Sequence, residues 1–593
     1  MMRFSRRQLL LGLAGFARAQ TPSDWRNIAT GFEIPDEGYC DQPYIVRTQD
    51  GHWLCVLTTG QGVEGERGQH IVATRSRDQG RTWSPLIDIE PASGPEASWV
   101  MPLLAPSGRV YVFYTYNNKD LRQVNSNSSN TARRVDTVGA YMFKYSADDG
   151  RTWSRERFEI PMRKMRIDRE NTHSGDVLFF WGVGKPVILR DGSAMFGFAK
   201  VGRWGQPGTM IESQGCFLRS PNLLTEKDPR RIRWELLPEG DEGLRAPKGP
   251  VSDEANLVEL SDGALYATYR TIDGYNCHAY SRDGGRTWTP PAYATYTPGG
   301  RRIKHPRAAN FVRKFSNGKF LLWFHNHGGE AAITSGNWEY YRARNPAWIS
   351  GGVERDGHIH WSEPEILLYD DNPDVRISYP DFVEDRGRFF VTETQKTVAR
   401  VHEMDRSLLE GVWNPPAGPA AGGIAVADRM PDLPNLAGRG GFSLDFDLRL
   451  RELTAGQILL DTRGDRDAGL LLETGSRFNL RLTLSDGTRK SSWESDGGTH
   501  PGTLRVNAWQ HVTITVDAGP RIISYVIDGV LNDGGAARQY GWGRFDPALA
   551  DVNGRPNPTV APKLFGELRN LRLYKRPLRT FEAVGNFRAE LTR

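Results

Sequence analysis

The chain has 593 residues, a length that allows two or more domains with sizeable cores. Hydrophobic residues make up 38% of it, and its 64 glycines, 36 prolines and 17 tryptophans are typical of a turn-rich β protein rather than a helical one. The 76 basic and 71 acidic residues leave a net charge of only +5, which argues against nucleic acid as a partner and is at most compatible with acidic glycans.

The first residues predict an export signal. Arg6 and Arg7 precede a short apolar run that ends in an Ala-x-Ala sequence before Gln20, a typical cleavage site. Paired arginines in this position indicate a signal of the twin-arginine type over residues 1–19. Because the apolar run is too short to span a membrane, we expect a periplasmic or extracellular protein without a membrane span.

A short motif occurs three times, at residues 76–83, 146–153 and 281–288. Each copy follows a β-rich run, begins with Ser, contains Asp, Gly and Thr, and ends with Trp. The Asp accepts backbone N–H bonds, the Gly supplies a positive φ, and the Trp covers the base of the hairpin. The motif therefore predicts a turn between two strands. Two weaker copies, at 220–234 and 350–361, keep only the outer Ser and Trp.

The five copies begin 61 to 74 residues apart, which is the spacing expected of β-propeller blades with several short strands each. A further blade, formed by residues 388–394 and the first strands after residue 25, would bring the number to six. We therefore predict an all-β protein in which a six-bladed β-propeller occupies residues 20–413.

A Pro/Gly/Ala-rich segment over residues 414–438 predicts a linker. Alternating apolar and polar residues then predict strands at 442–450, 477–484, 509–516, 522–527 and 568–574. These strands suffice for a β-sandwich jelly roll over residues 439–593. The pattern from Trp509 to Tyr574 resembles the concanavalin and laminin-G family. That resemblance implies either a glycan-binding module or a structural cap, and both alternatives remain open.

One predicted hairpin carries a pair of opposite charges. A turn at Asp262 sets Leu260 opposite Ala264, and the same register places Glu254 opposite Arg270, with Cβ atoms about 5 Å apart. On spacing alone, such a pair is either an ion pair on a surface, worth under about 1 kcal/mol, or part of a site.

Together with the repeated turns, the segment from Glu254 to Arg270 resembles the sialidase (neuraminidase) superfamily over roughly residues 30–400. In that superfamily a Glu activates a Tyr nucleophile, and three arginines bind the carboxylate of the substrate. The resemblance implies Tyr379 as the nucleophile, Glu254 as its base, and Arg270 and Arg344 as two of the arginines. Arg342 is a less favoured alternative to Arg344.

The first predicted blade departs from the superfamily pattern. Asp41 occupies the position of the first arginine, and Arg47 cannot replace it, because six residues of strand span about 20 Å. The following loop offers Glu64 and Glu66 where the superfamily has an Asp as general acid. Because the loss of one buried charged partner costs about 2–5 kcal/mol, we expect a sialate carboxylate to bind poorly. Whether Asp41 changes the specificity or abolishes the activity stays open.

Several histidines suit a different reaction, the cleavage of uronate-containing polysaccharides by a propeller lyase. In such an enzyme a His or Tyr removes a proton from C5, while an Arg or His neutralises the uronate. The candidates near predicted strand ends are His70, His173, His278, His305 and His327, with Tyr269 and Arg307 nearby. His70 and His173 are also candidates for substrate binding.

Three functions therefore remain open. The first is an exported sialidase-like exo-glycosidase that uses Tyr379 and Glu254 on a glycan with an acidic sugar. The second is the lyase, and the third is a non-catalytic glycan-binding protein, which the altered first blade favours. We predict no cofactor, because the chain has no zinc-type ligand spacing, and a structural Ca²⁺ in the C-terminal sandwich is not demanded. Four scattered cysteines are too few for a disulfide framework.

Overall fold

The computed structural model describes residues 24–124, 134–204, 210–331 and 341–591. The predicted export signal over residues 1–19 lies outside these residues. The described chain forms eight sheets whose strands pair in antiparallel fashion, so the predicted all-β class is confirmed. None of the helices in these ranges is long and apolar enough to cross a membrane. All four cysteines are buried and unpaired.

The described residues before residue 414 include twenty-six strands and two short α-helices. They are β1 (Phe32–Ile34), β2 (Tyr39–Arg47), β3 (Trp53–Gly60), β4 (His70–Ser76), β5 (Ile87–Asp88), β6 (Ala97–Leu104), β7 (Val110–Tyr116), β8 (Ala140–Ser146), β9 (Phe158–Glu159), α1 (Arg166–Arg169), β10 (Phe180–Trp181), β11 (Val187–Ile188), β12 (Ala194–Trp204), β13 (Met210–Ser220), β14 (Glu235–Leu237), β15 (Ser252–Glu259), β16 (Leu265–Thr271), β17 (Cys277–Ser281), β18 (Ala292–Tyr293), β19 (Phe311–Lys314), β20 (Phe320–Phe324), β21 (Ala347–Arg355), β22 (His358–Trp361), β23 (Glu365–Leu368), β24 (Ser378–Asp385), β25 (Arg388–Thr394), β26 (Ala399–Glu403) and α2 (Arg406–Trp413).

These strands form six sheets that follow one another along the chain: β2–β5, β6–β9, β10–β14, β15–β18, β19–β23 and β24–β26. The N-terminal strand β1 completes the sixth sheet by pairing with β26, where Phe32 lies opposite Val401. Each sheet contacts the next, and the sixth contacts the first through β24 and β2. The first and third sheets also meet, because the Tyr44 hydroxyl donates to the Val183 carbonyl at 2.6 Å. The inner strands of the six sheets therefore form a closed series.

The repeated motif forms the same turn in three sheets, after β4, β8 and β17. In each turn the leading Ser hydroxyl accepts a hydrogen bond from the Gly N–H at 2.8 or 2.9 Å. The Asp carboxylate accepts one from the Thr N–H at 2.9 or 3.0 Å. The predicted turn is thus confirmed for the three strong copies.

The two weaker copies differ. Ser220 ends β13, as the motif predicts. Ser350 instead lies inside β21, where it pairs with Leu322, so the copy predicted at 350–361 is wrong. The reason is that β21 extends to residue 355 and pairs with β20, β22 and β23, which leaves no turn at residue 350.

The C-terminal part contains β27 (Ile424–Ala425), β28 (Gly441–Leu450), β29 (Ile458–Asp461), β30 (Gly469–Thr474), β31 (Leu480–Ser485), β32 (Lys490–Glu494), β33 (Gln510–Asp517), β34 (Ile522–Ile527), β35 (Val530–Leu531), β36 (Gly543–Arg544), β37 (Thr559–Val560), β38 (Gly566–Tyr574) and α3 (Thr580–Leu591). They build a seven-stranded and a five-stranded sheet. Buried apolar side chains from both sheets, such as Phe446 and Leu482, share one core. All five predicted strands are present in part or whole. β27 lies within the predicted linker and pairs with β38.

Buried ion pairs and apolar packing join the two parts of the chain. The Arg26 guanidinium donates to the Asp517 carboxylate at 2.6 Å, and both side chains are largely buried. Trp542 of the C-terminal part packs beside Trp348 of β21, with ring centroids 5.9 Å apart. The C-terminal sheets are therefore fixed against the fifth sheet and the N-terminal segment.

Candidate active site

The candidate site lies at irregularities in the inner strands. β2, β6, β15 and β24 each contain a bulge in their pairing with the next strand. A non-glycine residue with positive φ occupies each bulge: Gln42 (53°), Trp99 (63°), Glu254 (53°) and Tyr379 (49°). Such residues are uncommon and strained, and bulges re-aim side chains beside sites. Two of these four residues, Glu254 and Tyr379, meet.

The bulge in β15 corrects one prediction. Glu254 does not lie opposite Arg270, because Asp253 occupies that position in the ladder and regular pairing resumes only at Asn256. Arg270 nevertheless contacts both carboxylates: its Nε donates to Asp253, and its Nη1 lies 2.8 Å from Glu254 Oε1. The predicted ion pair is therefore present, but it is buried and formed outside the regular ladder.

Tyr379 and Glu254 form a buried hydrogen-bonded pair. The Tyr379 hydroxyl donates to Glu254 Oε1 at 3.0 Å, and the two residues are 5% and 0% exposed. Glu254 Oε2 is buried without a hydrogen-bond partner in the described ranges. Burial raises the pKa of Glu254 even though Arg270 opposes it, and burial together with Glu254 raises the pKa of Tyr379. A base with a raised pKa is suited to accept a proton from the tyrosine beside it.

Arg344 lies next to this pair, and among the described residues it forms no ion pair with a carboxylate. Its guanidinium donates to Ser378 Oγ at 2.9 Å and to the carbonyl oxygens of Tyr341 at 3.3 Å and Arg307 at 3.4 Å. Burial, with a smaller contribution from the charge of Arg376, lowers the Arg344 pKa to about 10. A buried guanidinium bonded only to neutral groups is suited to bind an anion.

Arg307 joins the same cluster, although the sequence suggested it only for a lyase. Its Nη2 lies 3.4 Å from Asp253 Oδ2, and its Nε is buried without a hydrogen-bond partner in the described part of the chain. Burial and the neighbouring Arg270 lower its pKa. Arg342, the alternative to Arg344, is exposed. Arg270, Arg307 and Arg344 thus surround the Tyr379–Glu254 pair on one side.

Asp41 and Lys396 also lie beside this pair. Asp41 is fully buried and accepts hydrogen bonds from the Lys396 ammonium and, at 3.1 Å, from the Tyr39 hydroxyl. Lys396 Nζ also lies 4.3 Å from the centroid of the Tyr379 ring. Sequence reasoning assigned Lys396 no role, although the polar run from residue 392 to 396 was a signal. The turn between β25 and β26 therefore supplies a cation beside the acid of the first sheet.

The two predicted general acids differ in their surroundings. Glu64 lies 3.1 Å from Arg134 and 3.5 Å from Lys396. Burial raises the pKa of Glu64, but these two cations outweigh it and lower the value to about 2. Glu64 is therefore ionised at neutral pH and has no proton to donate. Glu66 is half-buried in the same loop, with its carboxylate folded back against Gly62.

His70 and His173 have local partners. His70 Nδ1 faces the Gly68 carbonyl at 3.0 Å, and its Nε2 lies 3.6 Å from Asp88 at the end of the outer strand β5. The His173 ring packs 5.5 Å from the Phe179 ring. Neither contact brings these histidines to the Tyr379–Glu254 pair.

The remaining histidines of the lyase alternative are held by structural contacts. His305 uses both ring nitrogens, toward the Ala308 carbonyl at 2.7 Å and the His325 N–H at 3.2 Å. His327 also uses both ring nitrogens: its Nε2 faces the Ala343 carbonyl, and its Nδ1 faces the Gln539 side-chain amide. Burial lowers the pKa of His305 to about 3 and that of His327 to about 4. His278 packs between Tyr266 and Tyr280.

Within the described ranges, no group of three or more His, Cys, Asp or Glu side chains is arranged to hold a metal ion. The clustered groups are instead a tyrosine, carboxylates, three arginines and a lysine. Such a set can accept a proton from a phenol and bind an anion beside it.

Comparisons with known proteins agree with the sequence resemblance. Residues 92–391 match the model of the BNR repeat-like domain, and residues 423–582 match that of the concanavalin A-like lectin/glucanases superfamily. The predicted resemblance is confirmed for both parts of the chain. No curated protein matches the chain.

Three similar solved structures share only low identity with this chain. A protein of unknown function from Dyadobacter fermentans is 16% identical with a TM-score of 0.45, over 63% of this chain and 97% of that one. Trypanosoma rangeli sialidase is 14% identical with a TM-score of 0.42, over 93% of this chain and 94% of that one. A Hadza microbial sialidase is 18% identical with a TM-score of 0.41, over 62% of this chain and 66% of that one.

Proposed function

The chain belongs to the BNR repeat-like domain family, and from that premise we propose that it is a glycoside hydrolase of the sialidase type, acting on glycans that carry an acidic sugar. The observation that carries the proposal is the buried 3.0 Å hydrogen bond from Tyr379 to Glu254, with Arg270 and Arg344 beside it. In the same proposal the six sheets are the blades of a β-propeller over residues 20–413. The linker is 414–438, and the two C-terminal sheets form the jelly roll over 439–593.

The proposed reaction has two steps. Glu254 takes the phenolic proton while the Tyr379 oxygen attacks the anomeric carbon, so that a tyrosyl–sugar bond forms as the glycosidic bond breaks. A general acid gives a proton to the departing oxygen and then, as a base, takes a proton from the water that displaces the tyrosine, whose oxygen regains its proton from Glu254. A neutral tyrosine suits a sugar whose anomeric carbon carries a carboxylate, since that carboxylate would repel a charged Asp or Glu.

The arginines support an acidic substrate. Among the described residues, Arg344 binds only neutral groups and the buried Nε of Arg307 has no hydrogen-bond partner. Together with Arg270 they would hold a carboxylate next to the anomeric carbon. In this proposal Arg307, from the segment before the fifth sheet, replaces the carboxylate-binding arginine that the first sheet lacks, because Asp41 occupies that position.

Of the two candidate general acids we favour Glu66, because Glu64 is held ionised by Arg134 and Lys396. A matched pair of variants separates them. Glu66→Gln should slow the cleavage of natural glycosides far more than that of aryl glycosides, whose leaving groups need little protonation. If Glu64→Gln shows this difference between substrates and Glu66→Gln does not, the assignment is wrong.

The exported location belongs to the same proposal. It rests on the twin-arginine type sequence at residues 1–19 and on a substrate class that occurs on cell surfaces and secreted polymers. Fractionation of cells that express the full chain tests it, with the Arg6→Lys, Arg7→Lys double variant as control. Unchanged export of the double variant would contradict a twin-arginine signal.

Tyr379→Phe tests the catalytic assignment. The protein is assayed on sialosides, uronate polymers and aryl glycosides, and we expect the variant to lose turnover by about 1,000-fold or more with a nearly unchanged Tm. Tyr269→Phe is the control, because the Tyr269 hydroxyl is buried and donates to the Arg245 carbonyl at 3.0 Å.

Other outcomes separate the alternatives. An unsaturated uronate product that Tyr269→Phe abolishes would support the lyase. A wild-type protein that binds glycans without releasing product would indicate a binding protein.

A further inference from the structure

A second cavity lies between the propeller part and the C-terminal part. Its volume is about 810 Å³, within the range of small-molecule sites. Asn345 and Arg376 line it from one side, and Trp493, Tyr540, Trp542 and Arg544 line it from the other. Both parts of the chain are therefore needed to form it.

The cavity adjoins the candidate active site. Asn345 directly follows Arg344 in the chain, and Arg376 precedes Tyr379 by three residues. The charge of Arg376 contributes to the lowered pKa of Arg344, which places the two guanidiniums near each other. Residues that neighbour Arg344 and Tyr379 in the chain therefore line the cavity.

Aromatic rings form one wall. The Tyr540 and Trp542 rings meet edge to face with centroids 4.8 Å apart, and Trp493 is half-buried nearby in the lining. Trp493 Nε1 donates to the Gly541 carbonyl at 3.1 Å, so the indole is fixed in place. Ordered aromatic rings with a polar edge are suited to pack against the apolar faces of sugars and leave the sugar hydroxyls free to hydrogen-bond.

The second feature of the cavity is the positive charge of its lining. Arg544 donates to the backbone carbonyls of Pro520 at 2.8 Å and Asn345 at 2.9 Å, and no ion pair to a carboxylate holds it in the described part of the chain. Burial lowers its pKa to about 10. Three arginines and one aspartate, Asp374, contribute the charged groups of the lining. The cavity therefore favours an anionic ligand over a neutral or cationic one.

We propose that this cavity is a second sugar-binding subsite, which holds the part of an acidic oligosaccharide beyond the bond that Tyr379 attacks. The inference rests on the proposed function and deepens it. Aromatic faces bind the sugar rings, and the arginines bind a carboxylate or sulfate on them. The C-terminal part of the chain thereby completes the substrate site and is more than a cap.

Two readouts test the subsite. Binding of sialylated and uronate-containing oligosaccharides is measured by calorimetry on the full chain with Tyr379→Phe, which prevents turnover. Turnover of an oligosaccharide is compared with that of a small aryl glycoside in the otherwise wild-type chain. Tyr540→Ala should weaken oligosaccharide binding roughly tenfold and raise KM for the oligosaccharide, while KM for the aryl glycoside stays unchanged.

The matched control is Trp509→Ala. Trp509 is a half-buried aromatic residue of the same part of the chain, and Arg449 and Arg569 lie over its ring at 5.0 and 3.8 Å. It therefore combines an aromatic ring with arginines, as the cavity does, but does not line the cavity. It should bind as wild type does. If Tyr540→Ala lowers the Tm strongly, Arg376→Gln at an exposed position replaces it as the test variant. This variant should weaken the binding of acidic oligosaccharides more than the binding of neutral ones of equal length.

The outcomes distinguish failure of the subsite from failure of the proposed function. Oligosaccharide binding that Tyr540→Ala weakens supports the subsite even where the wild type shows no turnover. Equal affinity of wild type and Tyr540→Ala, equal losses with Trp509→Ala, or no oligosaccharide binding by the wild type would overturn it.

Discussion

Asp41 is fully buried, and the half-buried Lys396 pairs with it beside the Tyr379 ring. Burial raises the pKa of Asp41, and Lys396 offsets part of that rise. For Lys396, burial lowers the pKa, but Asp41 and Glu64 outweigh it and raise the value. Each group thus favours the charged form of the other, and removal of Lys396 leaves the buried Asp41 without its cation.

A double-mutant cycle measures this coupling. Lys396→Met should lower the free energy of unfolding by about 2–5 kcal/mol, because Asp41 then lacks its cation. Asp41→Asn should also destabilise the protein, and the double variant should be more stable than the sum of the two losses predicts, by at least about 1 kcal/mol. Denaturant titration of the four proteins at pH 7 gives the coupling. Additive losses would contradict a direct pair.

The same residues mark how far the site could be predicted from the sequence. Four residues could be predicted because the sialidase superfamily has a matching position for each: Tyr379, Glu254, Arg270 and Arg344. Lys396 belongs to a turn whose position in space depends on how β25 meets β2, and local spacing does not encode that. The sequence suggests Arg307 as a candidate residue, but it does not reveal that Arg307 lies beside Asp253 and Arg270.

At the scale of elements, the repeated turns were predictable because each carries its own chemistry within eight residues. The bulges were not. The residue types in β15 and β24 do not signal a bulge. Each bulge nevertheless shifts the register of its strand, and Glu254 and Tyr379 are thereby turned toward each other. The register beyond the bulge was predicted correctly, since the Leu260 N–H donates to the Ala264 carbonyl at 2.8 Å.

The turn after β17 offers a test of what the repeated Asp contributes. The Asp283 carboxylate accepts bonds from the Thr287 N–H at 3.0 Å and the Thr287 hydroxyl at 2.6 Å. Asp283→Ala should lower the free energy of unfolding by about 1 kcal/mol, and Asp283→Asn by less, because the amide oxygen remains an acceptor. Denaturant titration measures both.

Arg282→Ala is the control for this turn. The neighbouring Arg282 makes only exposed contacts, among them an ion pair with Asp262 at 2.8 Å, so its loss should cost under about 0.5 kcal/mol. If Arg282→Ala and Asp283→Ala cost the same, the Asp–Thr bonds are not what stabilises the turn.

At the scale of the whole molecule, the contact between the part with the six sheets and the C-terminal part contains a buried carboxyl group. Glu365 of β23 is 4% exposed and accepts a hydrogen bond from the Phe581 N–H of α3 at 2.8 Å. Burial raises its pKa from 4.5 to about 7, although Arg579 opposes the rise. The folded protein therefore binds a proton at Glu365 more tightly than the unfolded chain does.

This difference sets the direction of a pH effect on stability. Between about pH 4.5 and 7 the folded state holds the proton and the unfolded state has lost it, so the Glu365 contribution to stability falls as the pH rises through this window. Above pH 7 the loss is complete and constant. A shift of this size corresponds to at most about 3 kcal/mol.

Glu365→Gln removes the titration and keeps the oxygen that accepts the Phe581 N–H. We expect the variant to be more stable than wild type at pH 8, by about 1–3 kcal/mol, and nearly equal to it at pH 5. Glu363→Gln is the matched control, because it breaks a 2.6 Å ion pair with Arg301 at the same contact and should destabilise the protein at pH 8. Denaturant titrations at the two pH values measure both. A Glu365→Gln variant that loses stability at pH 8 would show that Glu365 is needed there as a carboxylate, paired with Arg579, and that the two parts are joined by charge at this point.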